Sequence, residues 1–229
     1  GYADEEQIEA VKNFPRGLEK LIFPFSNLSE ALFSALPPRL RDLYINNWLD
    51  DEDWDPRILA MLPRSLEIFD FSTGYAGQYN PDFPYTSVIK ALPRTLKTLP
   101  QWMDLCLPNT EAIWELPETL TDVSVSIVLP GHLGYLPRTL NHLRMNSPLL
   151  SATEDRFPPS LKSISASSFS SDTWLALQSS DLKHLESISI AEFGINDDKE
   201  IRNLPRTLRS CKIGICRPTF GGNCFSSPH

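Results

Sequence analysis

Leu36-Pro37-Pro38-Arg39-Leu40-Arg41-Asp42-Leu43-Tyr44-Ile45 returns further along the chain as Leu62-Pro63-Arg64-Ser65-Leu66-Glu67-Ile68-Phe69-Asp70-Phe71, and again from Leu92, Leu116, Leu136 and Leu204. Phenylalanine takes the first place at Phe14 and Phe157, and a weaker ninth copy near Asp181 keeps Leu185, Ile188 and Ile190. The shared template is L-P-x-x-L-x-x-L-x-L. The copies start at 14, 36, 62, 92, 116, 136, 157, 181 and 204, so eight intervals cover 190 residues and average just under 24.

The end of the template dictates local structure. In x-L-x-L-x the two apolar side chains alternate with polar ones, so in a short strand they point together into a core while the residues between them face outward. The leucine three residues earlier turns into the same layer. The proline, always three residues before that leucine, falls in the approach to the strand, where no ladder hydrogen bond is lost and where its fixed φ favours an extended chain. The segments ahead of the prolines, such as Ser29 to Ala35 and Thr86 to Ala91, carry short helical patterns.

A period of 20 to 29 residues with L-x-x-L-x-L is the signature of leucine-rich repeats, whereas paired-helix repeats run to about 33 or more. The expected fold is therefore α/β: a leucine-rich-repeat solenoid, or horseshoe, with a curved parallel sheet on its concave face and short helices, 3₁₀ turns and loops on its convex face. Each unit buries its apolar face only against its neighbours, so residues 1–229 are expected to form one domain. Residues 1–13 read as a helical N-terminal cap with Ile8 and Val11 on one side, and residues 216–229 as a C-terminal cap or tail.

The L-P-x-x-L-x-x-L-x-L unit resembles the leucine-rich repeats of bacterial effector ubiquitin ligases and those of amoebae and other protozoa, over nearly the whole chain. The bacterial repeats run close to 20 residues with an asparagine after the strand, which is not systematic here. The Phe-Asn-x-Pro segment of the amoebal type is missing. The resemblance implies a horseshoe with a binding role. It brings no catalytic residue, because the ligase chemistry of the effectors lies in a separate domain.

Composition narrows the choice. Twenty prolines against ten glycines would break helices and central strands unless they fell at fixed positions, which the template provides. A formal charge of −8 works against attraction to a phosphate backbone, so nucleic acid is not an expected partner. No apolar run approaches the roughly 20 residues of a membrane span. We find no G-x-S-x-G, no glycine-rich phosphate loop, and nothing that sets His132, His142 or His184 beside a nucleophile. Neither an enzyme nor a cofactor is expected.

Four cysteines are too few for a disulfide framework and lack zinc-site spacing. Cys211 replaces a core leucine of the template and reads as a buried thiol. Cys216 and Cys224 are candidates for a disulfide closing the edge of the sheet. With that bridge and a glycosylated Asn27, the protein would be secreted or surface-exposed; otherwise cytoplasmic.

The partner site is expected on the outward strand positions, the sixth, eighth and tenth residues after each start. Copies two to six place there Asp42, Tyr44, Asn46, Ile68, Asp70, Trp102, Asp122, His142 and Arg144, a mixture of aromatic and charged groups typical of binding hot spots. Copies seven and eight offer mostly serine. The two longest intervals add Trp48 among Asp50, Asp51, Glu52 and Asp53, and Tyr75 and Tyr79, either as part of the same surface or folded back to plug the longer loops. Acid with aromatic points to another protein with a basic, partly apolar surface. The alternatives are the substrate-recognition domain of a larger enzyme such as a ubiquitin ligase, and a glycan-binding surface.

Overall fold

The computed structural model describes residues 2–23, 29–46, 56–72, 85–99, 113–128, 130–148, 154–193 and 204–215. In chain order these give α1 (Tyr2–Lys12), β1 (Lys20–Phe23), α2 (Glu30–Ala35), β2 (Asp42–Asn46), a 3₁₀ helix at Pro56–Met61, β3 (Ile68–Ser72), α3 (Tyr85–Ala91), β4 (Asp122–Val128), a 3₁₀ turn at Leu133–Tyr135, β5 (His142–Pro148), β6 (Ser163–Ala166), α4 (Ser171–Ser179), β7 (Ser187–Phe193) and β8 (Ser210–Ile215). Among the described residues all pairings between strands are parallel. This is an α/β repeat fold, with helices or 3₁₀ turns between several of the successive parallel strands.

The register places equivalent template residues side by side. Lys20 pairs with Asp42 and Asp42 with Ile68; Asp122 pairs with His142, His142 with Ser163, Ser163 with Ser187, and Ser187 with Ser210. Between β3 and β4 the described residues of the fourth copy end at Leu99. Its Thr98 bridges alone, to Ile68 on one side and to Asp122 on the other. Just ahead of Thr98 the backbone rung is intact: Lys97 N donates to Glu67 O at 2.8 Å, and Thr121 N donates to Lys97 O at 2.8 Å.

Inward side chains close the core as the alternation requires. Leu43, Ile45, Phe69, Val123, Val125, Leu143, Met145, Ile164, Ile188 and Ile190 are buried, together with the pre-strand leucines Leu40, Leu66, Leu96, Leu120, Leu140, Leu161 and Leu185. In α1, Val11 joins this layer and Ile8 packs partly against it.

The prolines do more than lead in an extended chain. Pro37, Pro63, Pro93, Pro117, Pro137 and Pro158 are buried, and each opens a tight turn in which its carbonyl accepts from the N–H of the following template leucine, as in Leu120 N to Pro117 O at 3.1 Å. The ring costs the turn nothing, since this first turn residue uses only its carbonyl. The preceding leucines, such as Leu136 at φ −62 and ψ 147, adopt the extended backbone a following proline favours.

A hydroxyl recurs in the same turn, a regularity the template missed. Ser65 Oγ donates to Leu40 O at 2.7 Å, Thr95 Oγ1 to Leu66 O at 2.6 Å, Thr119 Oγ1 to Leu96 O at 2.7 Å, Thr139 Oγ1 to Leu120 O at 2.8 Å, Ser160 Oγ to Leu140 O at 2.7 Å and Thr207 Oγ1 to Leu185 O at 2.7 Å. Each occupies the fourth template place and binds a leucine carbonyl of the preceding copy. The motif is therefore L-P-x-[ST]-L. Such bonds satisfy carbonyls that the strand ladder does not reach.

Two other contacts tie copies together. The buried Asp155 carboxylate accepts from Gly131 N and Leu133 N, both at 3.1 Å, across a turn where Gly131 sits at φ +82. At the far end the β7–β8 register shifts between Ile190 and Phe193, and a Cβ on Gly214 would lie 2.0 Å from Ala191 O. Glycine is needed there for close approach.

Cys211 departs from expectation: it is exposed. It lies in β8, the last described strand, and among the described residues no further copy packs over it. Cys216, Cys224 and Asn27 lie outside the described residues. Among those described, no helix is long and apolar enough to cross a membrane.

Replacing Leu120, wholly buried, by alanine is expected to cost about 2–5 kcal/mol, while Thr119→Val, which removes only the hydroxyl, costs about 1 kcal/mol. Urea denaturation of both variants checks the order. Gly214→Ala should raise hydrogen exchange in β8 and leave β1–β2 unchanged.

Candidate functional site

The side chains facing away from the core stand in rows because the strands pair in register. At the N-terminal end, Lys20, Asp42 and Ile68 form one row and Ile22, Tyr44 and Asp70 the next. Ile22 is 59% exposed, unusual for a large apolar side chain on a strand, and it lies directly beside Tyr44. Lys20 Nζ stands 5.2 Å from the centre of the Tyr44 ring, a diagonal cation–π contact worth about 0.5–1 kcal/mol at such a site. The result is an isoleucine–tyrosine step with Asp42 and Asp70 on the neighbouring strand positions and a lysine already resting on the ring.

A second group lies on β4, β5 and β6. Asp122, His142 and Ser163 are successive register partners, as are Ser124, Arg144 and Ser165. His142 Nδ1 is 2.7 Å from Ser163 Oγ, a pairing the sequence alone did not predict. Thr121 Oγ1 donates to Asp122 Oδ2 at 2.7 Å. A serine, a histidine and an aspartate in a row raise the question of nucleophilic chemistry. That chemistry needs a base shielded beside the nucleophile and oriented by a third group. Here His142 is exposed, and the Asp122 contact given above runs to Thr121.

The structure thus brings Asp42, Tyr44, Ile68 and Asp70 together in one group and Asp122, His142 and Arg144 in another. Asn46 pairs with Ser72 in the ladder, on the same alternation. Trp48, Tyr75, Tyr79 and Trp102 lie outside the described residues.

A third row, one residue ahead of the strands, was not anticipated. Glu67 lies between Arg41, at 3.7 Å, and Lys97, which it meets in a close ion pair. The hydrogen bond from Lys97 holds the Glu67 carboxyl below its ordinary value, despite an opposing contribution from desolvation; the charges of Lys97 and Arg41 add to the lowering. Alternating sign along the row, Glu19, Arg41, Glu67 and Lys97, was the signal in the sequence that would have located it.

Comparison with known proteins adds little to this geometry. No protein-family profile matches the chain, and no curated protein matches it. Among solved structures it is similar to the leucine-rich repeat-containing protein LegL7 from Legionella pneumophila, at 16% identity and a TM-score of 0.49, covering 91% of this chain and 87% of that one. So distant a likeness has no bearing on function, and the fold rests on the ladder and core described above.

A carboxyl held below its ordinary value contributes stability above that value and loses it as pH falls through the lowered one. In Lys97→Met the Glu67 titration is therefore expected to move up toward the ordinary 4.5. Carbon-detected NMR of the glutamate carboxyls reads the shift, and an unmoved Glu67 would contradict the pairing.

Proposed function

We propose that the chain is a non-enzymatic protein-recognition module of the leucine-rich-repeat horseshoe kind, the outward strand rows forming its concave face. The observation that carries this reading is the exposed Ile22 beside Tyr44, in rows that also hold Asp42, Ile68 and Asp70. An apolar step on an otherwise polar sheet costs solubility unless something covers it, and a tyrosine next to an aliphatic group is the composition that anchors interfaces. Asp42 and Asp70 favour a partner with cations around an apolar centre, and the middle group of Asp122, His142 and Arg144 extends the contact toward β5. Asn46, Trp48, Tyr75, Tyr79 and Trp102 would add to it from the strand ends and the longer intervals. On β6 and β7, the seventh and eighth copies, the face turns to serine, which supplies little anchoring area.

Affinity capture from a lysate, comparing the wild type with a Tyr44→Ala, Asp70→Ala variant of unchanged circular dichroism, tests the placement. A protein partner held by the wild type and weakened by the variant at least about tenfold, roughly 1.4 kcal/mol, is the expected result. A partner that binds both forms alike would overturn the placement on this face. Loss of binding in Tyr44→Ala alone, with an oligosaccharide as the captured ligand, would replace the protein partner with a glycan.

A further inference from the structure

The chain carries net negative charge, yet one flank of it is cationic. The turn that leads into each strand has its exposed tip at the third or fourth template place, and that tip carries Arg16, Arg39, Arg64, Arg94, Arg138 and Arg206. Among the described residues no ion pair engages Arg39, Arg64 or Arg138. The turns are not loose. Besides the leucine carbonyls, the recurring hydroxyls reach the turn tips themselves: Ser65 Oγ donates to Pro38 O at 3.0 Å, Thr95 Oγ1 to Arg64 O at 2.9 Å, Thr119 Oγ1 to Arg94 O at 2.7 Å and Thr139 Oγ1 to Glu118 O at 2.5 Å. From the second copy to the sixth, each tip is thereby fastened to the next, and the arginines stand on a fixed ridge.

The ridge has a break in the fifth copy, where Glu118 takes the place of arginine. Beside the break, Trp114 is 60% exposed and Tyr135 50% exposed, and their rings meet edge to face with centres 5.6 Å apart. Arg94 Nη1 donates to the carbonyl of Glu115, next in the chain to Trp114, at 2.5 Å. The Glu115 carboxylate is balanced by Lys90 at 3.5 Å and Arg94 at 3.4 Å. Two exposed aromatic rings in contact, one just ahead of the fifth turn and one just ahead of the sixth, follow the cationic tips Arg64 and Arg94 of the third and fourth copies and precede Arg138 of the sixth, and so supply an apolar anchor point along the ridge.

We propose that this ridge binds an acidic segment of a protein partner whose centre is apolar or aromatic. The flanking carboxylates are taken by Arg64 and Arg138, as fork-shaped guanidinium groups take them best, and the apolar centre rests on Trp114 and Tyr135. The span from the third copy to the sixth is three strand spacings of about 4.8 Å, roughly 14 Å, the reach of four to five extended residues. A uniformly charged chain, a nucleic acid or a sulfated glycan, fits worse. It would set a negative group against Glu118 between Arg94 and Arg138, and beyond the ridge it would meet the overall charge of −8. The surface is separate from the outward strand rows, so the two sites stand or fall independently.

The test is fluorescence anisotropy with a short labelled peptide bearing acidic residues on both sides of a central Leu-Phe pair, against an all-acidic peptide of equal length and a single-stranded oligonucleotide. The wild type is expected to bind the first probe best. Arg64→Glu with Arg138→Glu, and separately Trp114→Ala with Tyr135→Ala, are each expected to weaken it about tenfold or more. The Tyr44→Ala, Asp70→Ala variant should bind it like the wild type, which separates this site from the outward face. The substituted positions are exposed, and circular dichroism verifies that each variant is folded. Equal binding by the ridge variants, no binding by the wild type, or a preference for the oligonucleotide would each overturn the proposal.

Discussion

No copy of the template can bury its own apolar layer. A unit of some two dozen residues presents four or five inward side chains on a short strand and its approach, and only the units before and after it remove them from water. Everything regular in the structure follows from that dependence. The strands must be parallel, because each copy runs the same way. Equivalent positions must stack, because a shift of one residue would turn Leu43 or Val125 outward and Tyr44 or Ser124 inward. The rows on the outward face are the same requirement seen from the other side: they exist because the core needs the register, and any recognition surface there inherits its spacing from the core.

Stacking leaves polar groups to be satisfied in the turns, and the hydroxyl at the fourth template place answers that need. Its donation to a leucine carbonyl of the preceding copy makes the turns a second ladder, parallel to the strands and outside the core. Where Thr98 bridges β3 and β4, this second ladder continues through Thr95 and Thr119. One physical device thus does for the flank what the parallel sheet does for the face. The arginines at the turn tips are held by it at a fixed spacing.

The fold was legible in the sequence because leucine and proline recur at a fixed phase, and periodic burial leaves a strong mark. Strand positions followed from alternation, and the helices of the early copies from the patterns ahead of each proline. The outward rows were legible by the same count. Three features were not. Ser65, Thr95, Thr119 and Thr139 looked like variable turn residues, because a serine or threonine signals nothing until its carbonyl partner is known from the neighbouring copy. The contact of His142 with Ser163 depends on side-chain reach across two strands, which no spacing along one chain encodes. Cys211 occupies a core phase of the template, but phase predicts burial only where a following copy supplies the other wall, and β8 is the last strand described.

The central claim is that the array is continuous through the fourth copy, where Thr98 bridges β3 and β4. Native-state hydrogen exchange tests it most directly, by comparing the amides of β3 with those of β4 in the wild type and in Leu96→Ala, which removes a wholly buried side chain from the intervening copy. Continuity predicts that β3 and β4 open with similar free energies and that both lose protection in the variant. If β4 keeps its protection while β3 loses it, or the reverse, the two groups of strands are separate units and the account is wrong.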